Sequence, residues 1–145
     1  MNRFVFLSIL MLLGFSASAS ASPLESINNT LPTSNPPVIS WDEADDYVNQ
    51  FVIVQGTIVL THYAAGSNGQ PTFLNFHDPY EDYLTCIIWG DDRPEFPPNP
   101  EDYYLYKLVR VRGSIKNYEG SPEIILYGPS QIQIVNPDGS WPGFE

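Results

Sequence analysis

The chain has 145 residues with 14 % aromatic and 16 % charged side chains, enough for one hydrophobic core and too short for two domains. Six Lys and Arg stand against seventeen Asp and Glu, a formal charge of −11. That balance counts against a protein that tracks nucleic-acid backbones non-specifically, since such affinity comes mostly from Lys and Arg contacts to phosphate.

Asn2 and Arg3 precede an apolar run from Phe4 to Phe15, followed by small residues from Ser16 to Ser22. This is the pattern of a secretory signal peptide. About 12 residues are too few to span a bilayer as a helix, which needs roughly 20, and Ala17/Ala19 and Ala19/Ala21 supply cleavage patterns. Cleavage is expected after Ala21, with Ala19 as the neighbouring choice, which makes residues 1–21 the signal. The mature protein is then secreted or periplasmic and does not stay inserted in the membrane. Loss of Arg3 leaves five cations against seventeen acids, a formal charge of −12. Cys86 is the single cysteine, so no intramolecular disulfide can hold the fold. A monomer is expected.

Residues 22–37 are rich in Ser, Asn, Thr and Pro and are read as a flexible leader that cannot bury enough surface to order itself. Ser40-Trp41-Asp42-Glu43 has the form of a capping box, which predicts a short helix to about Asn49. Phe51 to Tyr63 (FVIVQGTIVLTHY) is a β-branched run with Gly56 inside it, a signal for a long first strand with a bulge or bend. Thr72 to His77 and Leu84 to Trp89 predict the second and third strands. Asn99-Pro100-Glu101-Asp102 looks like a helix start, with Asn as cap and Pro at the first position, running to about Tyr106. Lys107 to Asn117 alternates Val109, Val111 and Ile115 against Arg110, Arg112 and Lys116 and predicts a half-buried fourth strand. Tyr118-Glu119-Gly120-Ser121 turns it back into a fifth at Glu123 to Tyr127, and Ser130 to Val135 adds a short alternating piece. The acidic tail, residues 136–145, carries no pattern.

Three strands, a short helix and two more strands match an all-β fold, a five-stranded Greek-key OB barrel over residues 38–135 with a short N-terminal helix and another between strands three and four. An immunoglobulin-like sandwich would need about seven strands and no central helix.

The succession Val54-x-Gly56-x-Ile58, Thr72-Phe73-Leu74-Asn75-Phe76, Phe96-Pro97 with Pro100-Glu101-x-Tyr103-Tyr104, Lys107-x-Val109-x-Val111-x-Gly113-x-Ile115 and Tyr118-x-Gly120-x-Pro122-Glu123-Ile124 resembles small exported bacterial OB-fold domains classed with nucleic-acid-binding, tRNA-anticodon-like OB folds. The resemblance spans about Val38 to Val135 and implies the fold and, by analogy, oligonucleotide binding. The shortage of basic residues departs from that pattern. Periplasmic OB-fold proteins linked to stress responses are similar in architecture alone.

OB barrels usually bind ligands on the outer face of strands two and three. Alternation turns Leu74, Phe76, Cys86 and Ile88 inward and leaves Phe73, Asn75, His77, Thr85, Ile87 and Trp89 on the outer face. Tyr63, Phe73, Asn75, His77 and Trp89 are therefore candidate ligand contacts, with aromatics able to stack on bases. The competing reading is that Phe73 and Trp89 merely pack under the helix or tail. Arg110, Arg112 and Lys116 lie on one face of the fourth strand and with Lys107 offer the one place where phosphate would meet positive charge, unless Glu119 and Glu123 neutralise that stripe across the turn. If Tyr63 pairs with Thr72, His62 and His77 fall about four rungs apart, roughly 13 Å at 3.3 Å per residue, too far to share a metal ion. No catalytic motif is present, and Cys86 sits in an apolar strand where a thiol behaves as a small hydrophobe. No enzyme activity, cofactor or metal is expected. Two binding functions stay open: an oligonucleotide module for short single strands, and an envelope or secreted protein-interaction adaptor. Gly56 and Gly113 share the phase of the buried valines, so a side chain at either is expected to crowd a closed core.

Overall fold

A computed structural model describes residues 35–144, so the signal segment and most of the leader lie outside the described residues. The chain is mainly β. Among the described residues nine strands run in order: β1 (Val38–Ser40), β2 (Phe51–Thr57), β3 (Leu60–Tyr63), β4 (Thr72–Asn75), β5 (Thr85–Ile88), β6 (Leu108–Ser114), β7 (Lys116–Tyr118), β8 (Ser121–Ile125) and β9 (Ile132–Ile134). They form two hydrogen-bonded sheets, β1-β2-β6-β9 and β3-β4-β5-β8-β7, called here the first and second sheets.

β2 to β8 cover the five expected strands, two of them cut where the chain passes from one sheet to the other, β9 is the short alternating piece, and β1 was not expected. The described strands form two sheets where one closed five-stranded barrel was expected. The predicted first strand divides into β2 and β3 at Ile58-Val59, and the predicted fourth into β6 and β7 at Ile115. Both isoleucines are fully buried. Their backbones bond outside the regular ladders: Ile58 N–H donates to Lys107 O at 3.0 Å and Ile115 N–H to Gln50 O at 3.0 Å. A strand that turns its pleat to join a second sheet keeps its apolar residue inside, so alternation alone does not reveal the break.

Ser40 opens a 3-10 helix over Trp41–Tyr47, with the Ser40 N–H donating to Glu43 Oε2 at 2.7 Å. The predicted helix is thus present but ends two residues early and in the tighter form. The second helix, α1 (Pro100–Tyr104), begins as the proline predicts. Asn99 does not cap it with its side chain. It takes a left-handed conformation, φ 52°, and supplies its carbonyl to the Asp102 and Tyr103 N–H groups.

Antiparallel pairing of β2 with β6 sets Val54 opposite Val111, with Val52 opposite Gly113 and Gly56 opposite Val109. These face the core together with Leu74, Phe76, Cys86 and Ile88, all buried as alternation required. Neither glycine has positive φ, so the demand at both positions is for space. A Cβ on Gly56 would stand 2.6 Å from Trp41 Cδ1 and 2.7 Å from Phe76 Cδ1, and one on Gly113 would stand 2.6 Å from Ile124 Cγ2. The two glycines are not cross-strand neighbours. Each instead lets a different large side chain reach the core.

Gly56→Val is expected to lower stability by about 1–3 kcal/mol through overpacking, read as a lower melting temperature and urea midpoint. A variant at least as stable as the parent would contradict the inward close approach. Burial also holds the Cys86 thiol far above its ordinary range, so alkylation of the native protein should proceed only at the rate of global opening. Fast labelling under native conditions would contradict the burial.

Candidate functional site

The outer face of the second sheet carries a cleft of about 590 Å³, lined by Leu60, Thr61 and His62 of β3, Phe73 and Asn75 of β4, Thr85 of β5, and Ser121 and Glu123 of β8. One wall is Tyr80, Glu81 and Asp82 from the loop between β4 and β5. The other is Tyr118 and Glu119 at the turn between β7 and β8. That volume lies within the usual range for a small-ligand or side-chain pocket, about 300–1,000 Å³. The turn is tight, with Glu119 at φ 51° and Gly120 at φ 100°, and Asn117 Oδ1 accepts the Gly120 N–H at 3.1 Å. These conformations bring Tyr118 and Ser121 into register as paired residues.

Within the cleft, the exposed His62 ring lies nearly parallel to Phe73, centroids 6.4 Å apart and planes 6° from parallel. The pair follows from register, because Tyr63 pairs with Thr72 and so sets His62 opposite Phe73. Asn75 is buried and internally satisfied: its Nδ2 donates to Leu60 O at 3.2 Å, and its Oδ1 accepts from Thr85 Oγ1 at 2.8 Å. It therefore holds the floor rigid and offers few free bonding positions.

Four carboxylates, Glu81, Asp82, Glu119 and Glu123, line the cleft, and no lysine or arginine is among its described lining residues. Burial, with the charge of Glu119 beside it, holds the Glu123 carboxyl above the ordinary carboxylate value of 4.5. A local surplus of negative charge is thus built into this face.

The other candidate residues are dispersed. Tyr63 lies under Arg93, whose Cζ sits 3.8 Å from the ring centroid, and Arg93 also pairs with Glu101 of α1 at 2.7 Å. Trp89 is 40 % exposed and packs over Gly69 in the loop between β3 and β4. His77 belongs to an aromatic cluster, with centroids 4.0 Å from Tyr83 and 5.6 Å from Trp41, and its Nδ1 meets Pro79 O at 2.7 Å. Since a carbonyl only accepts, that nitrogen is the protonated one.

Arg110 and Arg112 lie on the outer face of the first sheet, away from the cleft lining. Glu119 and Glu123 line the cleft, and Glu123 stands opposite Lys116 of the same basic stripe. The arginines instead meet the C-terminal tail: Arg110 Cζ is 4.4 Å from the Trp141 ring and Arg112 Cζ is 4.9 Å from the Phe144 ring. Contacts of this kind contribute about 0.5–1 kcal/mol each at exposed sites. The tail, read as patternless, is in fact folded back by a turn at Asn136–Ser140, where Asn136 N–H donates to Ser140 O at 2.7 Å. Pro137-Asp138-Gly139 is a turn signature that marks the reversal. The acidic walls had no such local signal, because they come from two loops distant in sequence. Among the described residues no group of three His, Cys, Asp or Glu could hold a metal ion.

No family model matches the chain, and no curated protein does. Among solved structures it is similar to a candidate aspartyl-tRNA synthetase from Leishmania major Friedlin, at 15 % identity and a TM-score of 0.45. The match covers 73 % of this chain and 22 % of that one, so the chain spans about a fifth of the length of that protein. A likeness of this degree assigns neither ligand nor activity.

Proposed function

We propose that this protein is an exported, non-enzymatic binding module of OB type that holds a cationic segment of a partner protein in the cleft of the second sheet. The observation that carries the reading is the lining: aromatic faces at Phe73, Tyr80 and Tyr118, four carboxylates, and no described lysine or arginine. A lysine or arginine side chain entering it would gain carboxylate pairing and an aromatic face together. A phosphate chain would meet repulsion from Glu81, Asp82, Glu119 and Glu123. The protein-interaction alternative is thereby favoured over the oligonucleotide one.

Support for the OB-type reading comes from connectivity. β2 leads into β3 and β6 into β7 with one or two residues between, so two long strands each serve both sheets. β5 also pairs in parallel with β8. The cleft then corresponds to the outer face where such barrels hold ligands. Export rests on the N-terminal pattern of the sequence.

A fluorescent arginine- and lysine-rich peptide titrated at low salt is expected to bind, and Glu81→Gln with Glu123→Gln, or Phe73→Ala, to weaken it about tenfold or more, the equivalent of 1.4 kcal/mol. Binding of a short single-stranded oligonucleotide in place of the peptide would overturn the reading. The pH dependence follows from Glu123, which a bound cation favours ionised. Affinity is therefore full above the raised pKa and declines as pH falls through it. Folding runs the other way for this group: its raised pKa lowers stability as pH rises from 4.5 through the folded value. Glu123→Gln should flatten both dependences.

A further inference from the structure

The arginine face of the first sheet is a second surface, independent of the cleft, and the chain itself occupies it. Arg110 and Arg112 stand two residues apart on β6, with Gln55 and Gln133 flanking Arg110 from β2 and β9. Trp141 and Phe144 are spaced to reach one guanidinium each, and their own rings meet edge to face at 5.0 Å. Gln133 Nε2 anchors the backbone between them by donating to Gly143 O. We propose that this face is a docking site for an aromatic chain segment with Trp-x-x-Phe spacing, and that the tail Trp141–Phe144 is its resident and displaceable occupant.

Three features separate this contact from ordinary core packing. Trp141 and Phe144 are half-buried and lie outside the hydrophobic core cluster. Among the described residues, the last backbone–backbone bond from this segment to the sheet, Val135 N–H to Leu108 O at 2.9 Å, comes before the turn. The turn is closed within itself by Asn136 to Ser140, Gly139 to Asn136 and the Ser140 bonds to Asp138. Release of residues 141–144 therefore leaves turn and sheet intact. The chemistry of the partner follows from how Arg110 is presented. Its Nε donates to Gln55 Oε1 at 2.7 Å, which commits part of the edge that would grip a phosphate and leaves the flat face for a ring. Gln133 Oε1, buried without a hydrogen-bond partner among the described residues, is an acceptor that a backbone N–H of an incoming segment would satisfy.

The test uses a fluorescein-labelled peptide with the sequence of residues 138–145 and the full chain in three forms: parent, Trp141→Ala/Phe144→Ala, and that double variant with Arg110→Gln and Arg112→Gln. A tail docked about nine-tenths of the time reduces apparent affinity tenfold. The peptide is therefore expected to bind the double variant about tenfold or more tighter than the parent. It should lose that binding when the arginines are replaced or when its own Trp and Phe become Ala. Absence of binding to the uncovered chain, equal binding to parent and variant, or binding that survives the arginine substitutions overturns the proposal. So does an oligonucleotide that binds the uncovered chain where the peptide does not, since the tail would then be a cover over an anion site. If the double variant fails to fold, the same comparison on Phe144→Ala decides between these outcomes.

Discussion

Seven consecutive residue pairs join β2 to β6, from Phe51 opposite Ser114 to Thr57 opposite Leu108, and the placing of both sheets depends on that ladder. Each of its strands runs on into the second sheet, so the register of the ladder also sets where β3 and β7 begin. The inward stripes Val52-Val54-Gly56 and Val109-Val111-Gly113 are what hold the register. A slip by one residue would turn Ile53 and Arg110 inward, burying an unpaired guanidinium, and would expose the valines. The two glycines complete the constraint. They leave room for Trp41 and Phe76 at one end of the ladder and for Ile124 at the other, which ties the 3-10 helix and β8 to the same core.

Electrostatics follows from this frame. Of the five cations after the predicted cleavage, Arg93 is taken up by Tyr63 and Glu101, while Arg110 and Arg112 meet Trp141 and Phe144. Charge in the cleft lining of the second sheet is left to carboxylates. Lys116 does sit opposite Glu123 in the register, yet the net environment of Glu123 still disfavours its ionised form, with burial the larger cause and Glu119 the second. A cleft that raises the pKa of its own acid gains from any positive charge that enters it. The acids of this face thus set up a local potential that attracts positive charge.

Much of the fold was legible because strand alternation reports facing directly. The inward set Leu74, Phe76, Cys86 and Ile88, the phase of both glycines and the pairing of Tyr63 with Thr72 all follow from period-two patterning and loop length. The breaks at Ile58-Val59 and Ile115 were not legible, since an apolar β-branched residue looks the same inside a straight strand and at a crossing between sheets. Of the candidate ligand residues, Phe73 and Asn75 reach the cleft. Tyr63, His77 and Trp89 do not, because each has a neighbour from a distant segment: Arg93, Trp41 and Gly69. The arginines were placed on one face, but their contacts with Trp141 and Phe144 were not legible, because a tail about 30 residues onward is beyond any local pattern.

One strand carries parts of both surfaces, since β6 presents Arg110 and Arg112 to the tail and passes through Ile115 into β7, which ends at Tyr118 in the cleft wall. Such continuity would couple the two sites only if the strand could slide or rotate. The inward valines oppose sliding by a single residue, and the fully buried Ile115, its N–H bonded to Gln50 O and its carbonyl accepting from Asn49 N–H at 2.8 Å, fixes the crossing. Packed elements of this kind move between discrete arrangements and do not deform gradually. The fixed crossing at Ile115 thus opposes a mechanical link between the arginine face and the cleft. A Coulombic influence of one face on the other would fall off over a Debye length of about 8 Å at physiological ionic strength.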